Sequence, residues 1–289
     1  MAPTFDLQSH SDRSDGALAP AEVVRHAARA GVELLALTDH DTVDGVEEAL
    51  AAARDDGLRL VPATELSAVH KDQEDLHVLG YGIDHRDAAL HEQLADFRED
   101  RVRRSERMGE RLRELGWEVD DAPLHERRAA GLSIGRPHLA AAAFGHPANA
   151  DRLAEEELVD ASALLVAYLI PGRPAYLPRT RPTVTEAIGV IHAARGVAVW
   201  AHPFWDIDAS AAVLKAIEGF RTDGLDGVEV FYRSHSCEQV ALLAEHCERH
   251  GLLQTGSADF HGPEHRIFDR FRAFDLCGRE PVLGPIVAG

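Results

Sequence analysis

Cysteine is scarce in this chain of 289 residues, which contains only Cys237, Cys247 and Cys277. They form no C-x-x-C pair and no even framework, so they read as reduced thiols, and any metal is expected on nitrogen and oxygen. Basic residues are also short, 30 against 49 acidic ones, for a formal net charge of −19. That deficit excludes a surface built to grip a long nucleic-acid backbone, which relies on a basic footprint. A small phosphorylated molecule stays open, because bound divalent cations reverse the field locally. No apolar run reaches the roughly 18 residues of a membrane-spanning helix. The amino-terminal MAPTFDLQSH lacks the basic and apolar blocks of a secretory leader. The chain therefore reads as cytoplasmic, with no membrane association and no obligate protein partner evident.

What is present is an ordinary globular composition, 45% hydrophobic and 27% charged, with an unusual load of 17 histidines. Short strand-like runs alternate with helical patterns. Strands are expected at 4–10, 33–38, 58–64 and 75–80, with helices from Pro20 to Gly31 and from Asp44, as cap, to Gly57. From about residue 88 to 116 the chain is helical and heavily charged, and no strand alternation follows until about residue 182. The rhythm then returns, with helices at 183–195, 209–221 and 236–250 and strands at 197–201, 227–232 and 252–256. Seven strands with an excursion after the fourth predict an α/β fold, a distorted (β/α)7 barrel made of residues 1–94 and 183–289. Residues 95–182 are expected as a helical insertion covering the active site.

Side chains able to hold metal recur where these apolar runs end. Gln8 and His10 follow TFDL, Asp15 lies in SDG, and His40 follows LLALTD. Glu65 follows LVPAT, His77 sits in LHVLGY, His202 follows VAVWA, and Asp259 and His261 follow LLQTGSA. Each has a plain structural reading: SDG makes a turn, Asp39 or Asp41 in TDHDT caps a helix, and His77 fits a core. Six coincidences at strand ends carry more weight than any one. In β/α barrels functional groups come from the carboxyl ends of different strands. Asp6, Gln8 and His10 alternate onto one strand face. Imidazole with carboxylate suits zinc, manganese or iron, and a pure magnesium site favours oxygen alone.

The motifs Gln8-Ser9-His10, Thr38-Asp39-His40, His202 and Asp259-Phe260-His261 resemble those of the PHP (polymerase and histidinol phosphatase) phosphoesterases. The likeness extends through SDG, the ELS of Glu65, HVLGY, GRPH, LIPGRPAY and GVEVFY, and is greatest to the stand-alone bacterial branch. It implies a distorted seven-stranded barrel with two to three divalent ions (manganese, iron or zinc, with magnesium possible). The implied ligand sets are Gln8, His10, Glu65 and Asp259; Glu65, His77 and His202; and Asp15, His40 and His261. The family's first histidine is Gln8 here, a weaker, neutral ligand.

The resemblance implies hydrolysis of a small phosphorylated nucleotide by a metal-activated hydroxide. Its most specific form is removal of the 3′-phosphate of a nucleoside 3′,5′-bisphosphate. Alternatives are a 5′–3′ exonuclease on short RNA, a histidinol-phosphate phosphatase and a non-catalytic metal-stabilised scaffold. Arg136 and His138 of GRPH are candidates for gripping the substrate phosphate, Arg being suited to bidentate contact. His235 is a third candidate. Trp117, Trp200 and Trp205 read as packing residues, with Trp205 also placed to flank a base or sugar.

Overall fold

The computed structural model describes residues 3–71, 73–132 and 134–287. Two compact units divide the chain: residues 1–94 with 182–289, and residues 95–181.

In the first unit, seven strands form one sheet in chain order. They are β1 (Phe5–Asp6), β2 (Leu34–Leu37), β3 (Arg59–His70), β4 (Gln73–Tyr81), β5 (Val197–Trp200), β6 (Gly227–Tyr232) and β7 (Leu253–Ser257). A parallel bridge from Ser9 to Phe260, and a bond from Leu7 N to Gly256 O at 3.2 Å, return the last strand to the first. The result is the distorted α/β barrel. β2, β5 and β6 are buried along nearly their whole length, so they read as continuous apolar runs rather than alternations.

Helices α1 (Pro20–Arg29) and α2 (Val46–Asp56) follow β1 and β2. α1 begins with Pro20 in its first turn and buries Val23, Val24 and Ala27, a helical stripe that packs under Leu35 and Leu37. α8 (Val184–Ala193), α9 (Pro203–Asp206), α10 (Ser210–Thr222) and α11 (Cys237–His250) complete this unit. Capping boxes start α8 at Thr183 with Glu186 and α11 at Ser236 with Gln239.

Several details depart from the sequence reading. Asp44 does not cap α2; Gly45 occupies that position, without a side-chain cap. β1 is only two residues long, and beyond it the chain keeps isolated backbone contacts to both neighbours through Leu7, Ser9 and His10. β3 runs on past Thr64 to His70 and turns back into β4, which pairs antiparallel with both β3 and β5. The extension is driven by LSAV at 66–69, all buried: Leu66, Ser67 and Ala68 pair with Val78, His77 and Leu76, and Val69 bridges Thr183. The other four strand pairs are parallel.

Cys237, the first residue of α11, is bonded to Cys277, with Cα atoms 5.5 Å apart and a sequence separation of 40. The expectation of reduced thiols is corrected here, since tertiary folding and no local motif brings the pair together. Cys247 is free, buried, and its thiol is pushed up to about 12 by burial and then by Glu248. It is inert.

The second unit is helical. It holds most of α3 (Ala88–Glu114), then α4 (Ala122–Ala129), α5 (Arg136–Phe144), α6 (Ala150–Glu155) and α7 (Ala161–Tyr168). Its own core gathers Met108, Leu112, Trp117, Leu139, Leu164 and Leu169. Arg152 lies 4.2 Å over the Trp117 ring. Among the described residues, no helix is long and apolar enough to cross a membrane.

Candidate metal centre

The loops that follow β1 and β2 are tied together by one buried carboxylate. Asp39 accepts from Ser11 N at 2.7 Å, Ser11 Oγ at 2.6 Å and Ser14 Oγ at 2.7 Å. This fixes the stretch carrying His10 and Asp15 against the stretch carrying His40. Asp39 is thus neither a ligand nor the cap of α2. The turn at SDG also has a steric requirement: a Cβ on Gly16 would meet the His10 carbonyl oxygen at 2.2 Å.

Around this frame the side chains converge. Glu65, on β3, is fully buried and stands at the middle. Its Oε2 faces His10 Nε2 at 3.0 Å, and its Oε1 faces His77 Nδ1 at 2.6 Å and His202 Nε2 at 3.7 Å. His10 Nε2 is also 3.1 Å from Asp259 Oδ1. Asp15 approaches His10, His40 and His261, each at 3.6 Å. Donor atoms of three sets lie within 4.8 Å of one another: His10, Glu65 and Asp259; His40, Glu65 and His77; and His10, Asp15, His40 and His261.

The backbone is bent to serve this convergence. His202 and Asp259 both adopt left-handed backbone, at φ 30° and φ 57°. Such conformations cost about 1–3 kcal/mol for residues other than glycine and gather at functional sites.

Electrostatics favour cations. Burial opposes the charge on His10, yet its bonds to Asp259 and Glu65 raise its pKa well above the usual histidine range. Burial pushes His40 down to about 3, against the pull of Asp15 and Glu65, so it is a neutral imidazole ready to ligate. Asp259 is held at about 2; burial works against ionisation, and His261 and His10 overcome it. Glu65 also lies well below its ordinary value, burial again opposing and His40 and His77 prevailing. Buried Glu65 Oε1, Asp259 Oδ1 and His40 Nδ1 have no well-directed hydrogen bond. Atoms this close, dry and imperfectly paired fit a centre of divalent ions held by nitrogen and oxygen. His261 Nδ1 bonds the Asp259 carbonyl at 2.8 Å, which turns Nε2 toward Asp15 at 3.6 Å.

Gln8 is placed differently from the expectation. Its Nε2 donates to Glu65 Oε2 at 2.9 Å, and its Oε1 lies 3.2 Å from Ser257 Oγ. The amide oxygen therefore faces Ser257, and the amide nitrogen braces Glu65. Ser257 Oγ is also 2.6 Å from Glu229 Oε1, and one hydroxyl proton cannot serve two acceptors. Burial pushes Glu229 up to about 8, so at neutral pH it carries the missing proton. Glu229 Oε2 accepts from His202 N at 2.9 Å, and Tyr232 Oη donates to Asp259 Oδ2 at 2.9 Å.

The sequence reading missed Asp39 in its clamping role, Glu229 and Tyr232. An acid inside the apolar GVEVFY was the available signal for Glu229. Asp6, expected on the same face as Gln8 and His10, instead accepts from Ala258 N and Arg272 N at 2.9 and 2.7 Å. Its carboxyl is raised to about 7 by burial.

The three substrate-binding candidates belong to both units. His235 is buried, its Nδ1 paired with the Val230 carbonyl at 2.9 Å and its ring edge-on to Phe204. Burial lowers it to about 4, so it contributes no positive charge. Arg136 and His138 belong to the helical unit, in the first turn of α5. Arg136 lies 6.0 Å from the Tyr176 ring centroid, and His138 Nδ1 accepts from Gly135 N at 3.0 Å.

The PHP domain family model matches residues 6–156. The chain belongs to the PHP domain family. It is 35% identical over 289 residues to a 3′,5′-nucleoside bisphosphate phosphatase of Chromobacterium violaceum, covering 98% of this chain and 94% of that one. It is 30% identical over 265 residues to a 5′–3′ exoribonuclease of Haemophilus influenzae, covering 91% and 92%. A solved metal-dependent phosphoesterase of Bifidobacterium adolescentis superposes with a TM-score of 0.74 at 30% identity, covering 96% of this chain and all of that one. This PHP protein is a metal-dependent phosphoesterase.

Proposed function

We propose that this PHP enzyme is a phosphatase of small phosphorylated nucleotides that removes the 3′-phosphate of a nucleoside 3′,5′-bisphosphate. The observation that carries the reading is the convergence of imidazoles and carboxylates on the two faces of Glu65. His10, Glu65 and Asp259 would hold one ion, and Glu65, His77 and His202 a second. Asp15, His40 and His261 would hold a third. Two to three ions of manganese, iron or zinc suit these donors. Ions of this kind supply Lewis acidity and lower the pKa of water from 15.7 to about 7.

The chain's own residues do the rest. Glu65 turns Oε2 toward His10 and Oε1 toward His77, so it would serve both neighbouring ions, and Gln8 holds its orientation. Tyr232 fixes Asp259, and Glu229 fixes the backbone of His202. Trp205 is 47% exposed, edge-on to Tyr232 and 5.6 Å from Phe268, whose ring is itself 5.2 Å from His261. It offers an open indole face beside the centre, suited to stacking on a base. Arg136 and His138 are this reading's candidates for gripping the substrate phosphate, and cytoplasmic residence goes with it.

Support for the substrate comes from near full-length similarity to the bisphosphate phosphatase and from the −19 charge, which disfavours long strands. Short RNA is the second reading, supported by likeness to the exoribonuclease. The deciding experiment assays metal-loaded protein against nucleoside 3′,5′-bisphosphates, short RNA, histidinol phosphate and an aryl phosphate. The bisphosphate should show the highest kcat/KM, and a chelator should abolish turnover. A higher value on RNA transfers the assignment to exonuclease. No turnover on any of them sinks the enzyme reading in favour of a scaffold.

A further inference from the structure

A second cluster of metal-ligating side chains lies away from the centre just described. His246 and His250 are four residues apart on α11, so their imidazoles share one helix face, with ring centroids 4.6 Å apart. Glu218 of α10 reaches both: its Oε1 is 2.9 Å from His246 Nε2 and 3.0 Å from His250 Nε2. All three donor atoms lie within 4.8 Å of one another.

We propose that Glu218, His246 and His250 form a binding site for one further divalent cation, of the zinc class, that clamps α10 to α11. Two imidazoles and a carboxylate with an open fourth position form a donor set typical of zinc. Nitrogen and oxygen ligands about 2.0–2.1 Å from a tetrahedral zinc stand about 3.3 Å apart from one another. The two contacts to Oε1 are already within a few tenths of an ångström of that spacing.

The pairing of the individual atoms points the same way. His246 is buried, and neither of its ring nitrogens has a well-directed hydrogen bond, even though Nε2 faces Oε1 at 2.9 Å. A short contact off the hydrogen-bond axis leaves a lone pair available to a shared cation. The other carboxylate oxygen, Oε2, is held by Arg221 Nη2 at 3.0 Å and Nε at 3.3 Å. Arg221 thus fixes the carboxylate with Oε1 turned toward the imidazoles, the orienting task that outer partners perform at metal sites.

The site is separate from the phosphoesterase centre by topology. α11 starts after the carboxyl end of β6 and runs back along the barrel. His246 lies ten residues beyond Ser236, about 15 Å of helix away. Glu218 likewise sits in the last turns of α10, after the carboxyl end of β5.

The test uses the full-length protein with zinc alone as probe. After zinc loading and gel filtration at neutral pH, His250→Ala and Glu218→Gln should each retain one zinc fewer per chain than the parent. Both positions are solvent-accessible, so the variants are expected to fold. Their turnover should equal the parent's, while the zinc-dependent rise in Tm shrinks. Asp259→Asn, altered in the catalytic centre, should keep this equivalent. An unchanged zinc count in both variants overturns the proposal. So does loss of the ion together with loss of turnover, which would assign it to the catalytic centre.

Discussion

The side-chain amide of Gln8 donates from Nε2 to Oε2 of Glu65 at 2.9 Å, within a wholly buried pair. Gln8, expected as a weak neutral ligand, thus braces the carboxylate that the proposed ions would share. Gln8→Ala should leave the fold intact and lower metal affinity roughly 10–100-fold, the usual effect of losing an orienting partner. Metal titration with circular dichroism checks it. Unchanged affinity would remove Gln8 from the centre.

Asp259 should be indispensable to turnover. Asn tolerates left-handed backbone, so Asp259→Asn at φ 57° keeps the local geometry while deleting the charge. Turnover should fall by roughly a hundredfold or more with the protein still folded. Near-normal kcat in a folded variant would refute the ligand assignment.

Glu229 makes metal-free protein lose stability as pH rises. Burial moves its carboxyl from the ordinary 4.5 to about 8 in the fold. Between those values the folded state holds a proton that the unfolded chain has released. Its contribution is complete below about pH 4.5, declines with a slope of up to about 1.4 kcal/mol per pH unit, and is gone above about pH 8. Asp6, raised to about 7, acts with the same sign. Urea unfolding of metal-free wild type and Glu229→Gln at about pH 5 and about pH 8 should show a flatter dependence in the variant.

Breaking the Cys237–Cys277 bond should cost stability without touching the centre. A loop of 40 residues corresponds to about 4 kcal/mol of chain entropy restored to the unfolded state. Thermal melting with and without reductant, and of Cys237→Ser, should show a matching drop in Tm with turnover retained at low temperature.

Much of this arrangement was legible because β/α barrels put polar residues where apolar runs stop. His10, His40, Glu65, His202 and Asp259 could each be found by walking to the end of a run. What stayed hidden needed three dimensions. The reversal of β4 was invisible because LSAV and LHVLGY read equally well as parallel strands. The clamp made by Asp39 was masked by its position before a helix, where an acid is ordinarily a cap. The contact of Gln8 with Glu65 was hidden because a sequence does not say which end of an amide faces inward. The disulfide was missed because its halves belong to different elements.

His10, wedged between Glu65 and Asp259, gives the centre one more property. The proton shared along those contacts occupies the same slot that a cation would claim. An ion held by this trio would load by exchange, metal in and hydrogen ion out, so its occupancy should follow the acidity of the medium as well as metal supply. A step to mild acid should therefore release such an ion, and neutral buffer with fresh metal should restore it.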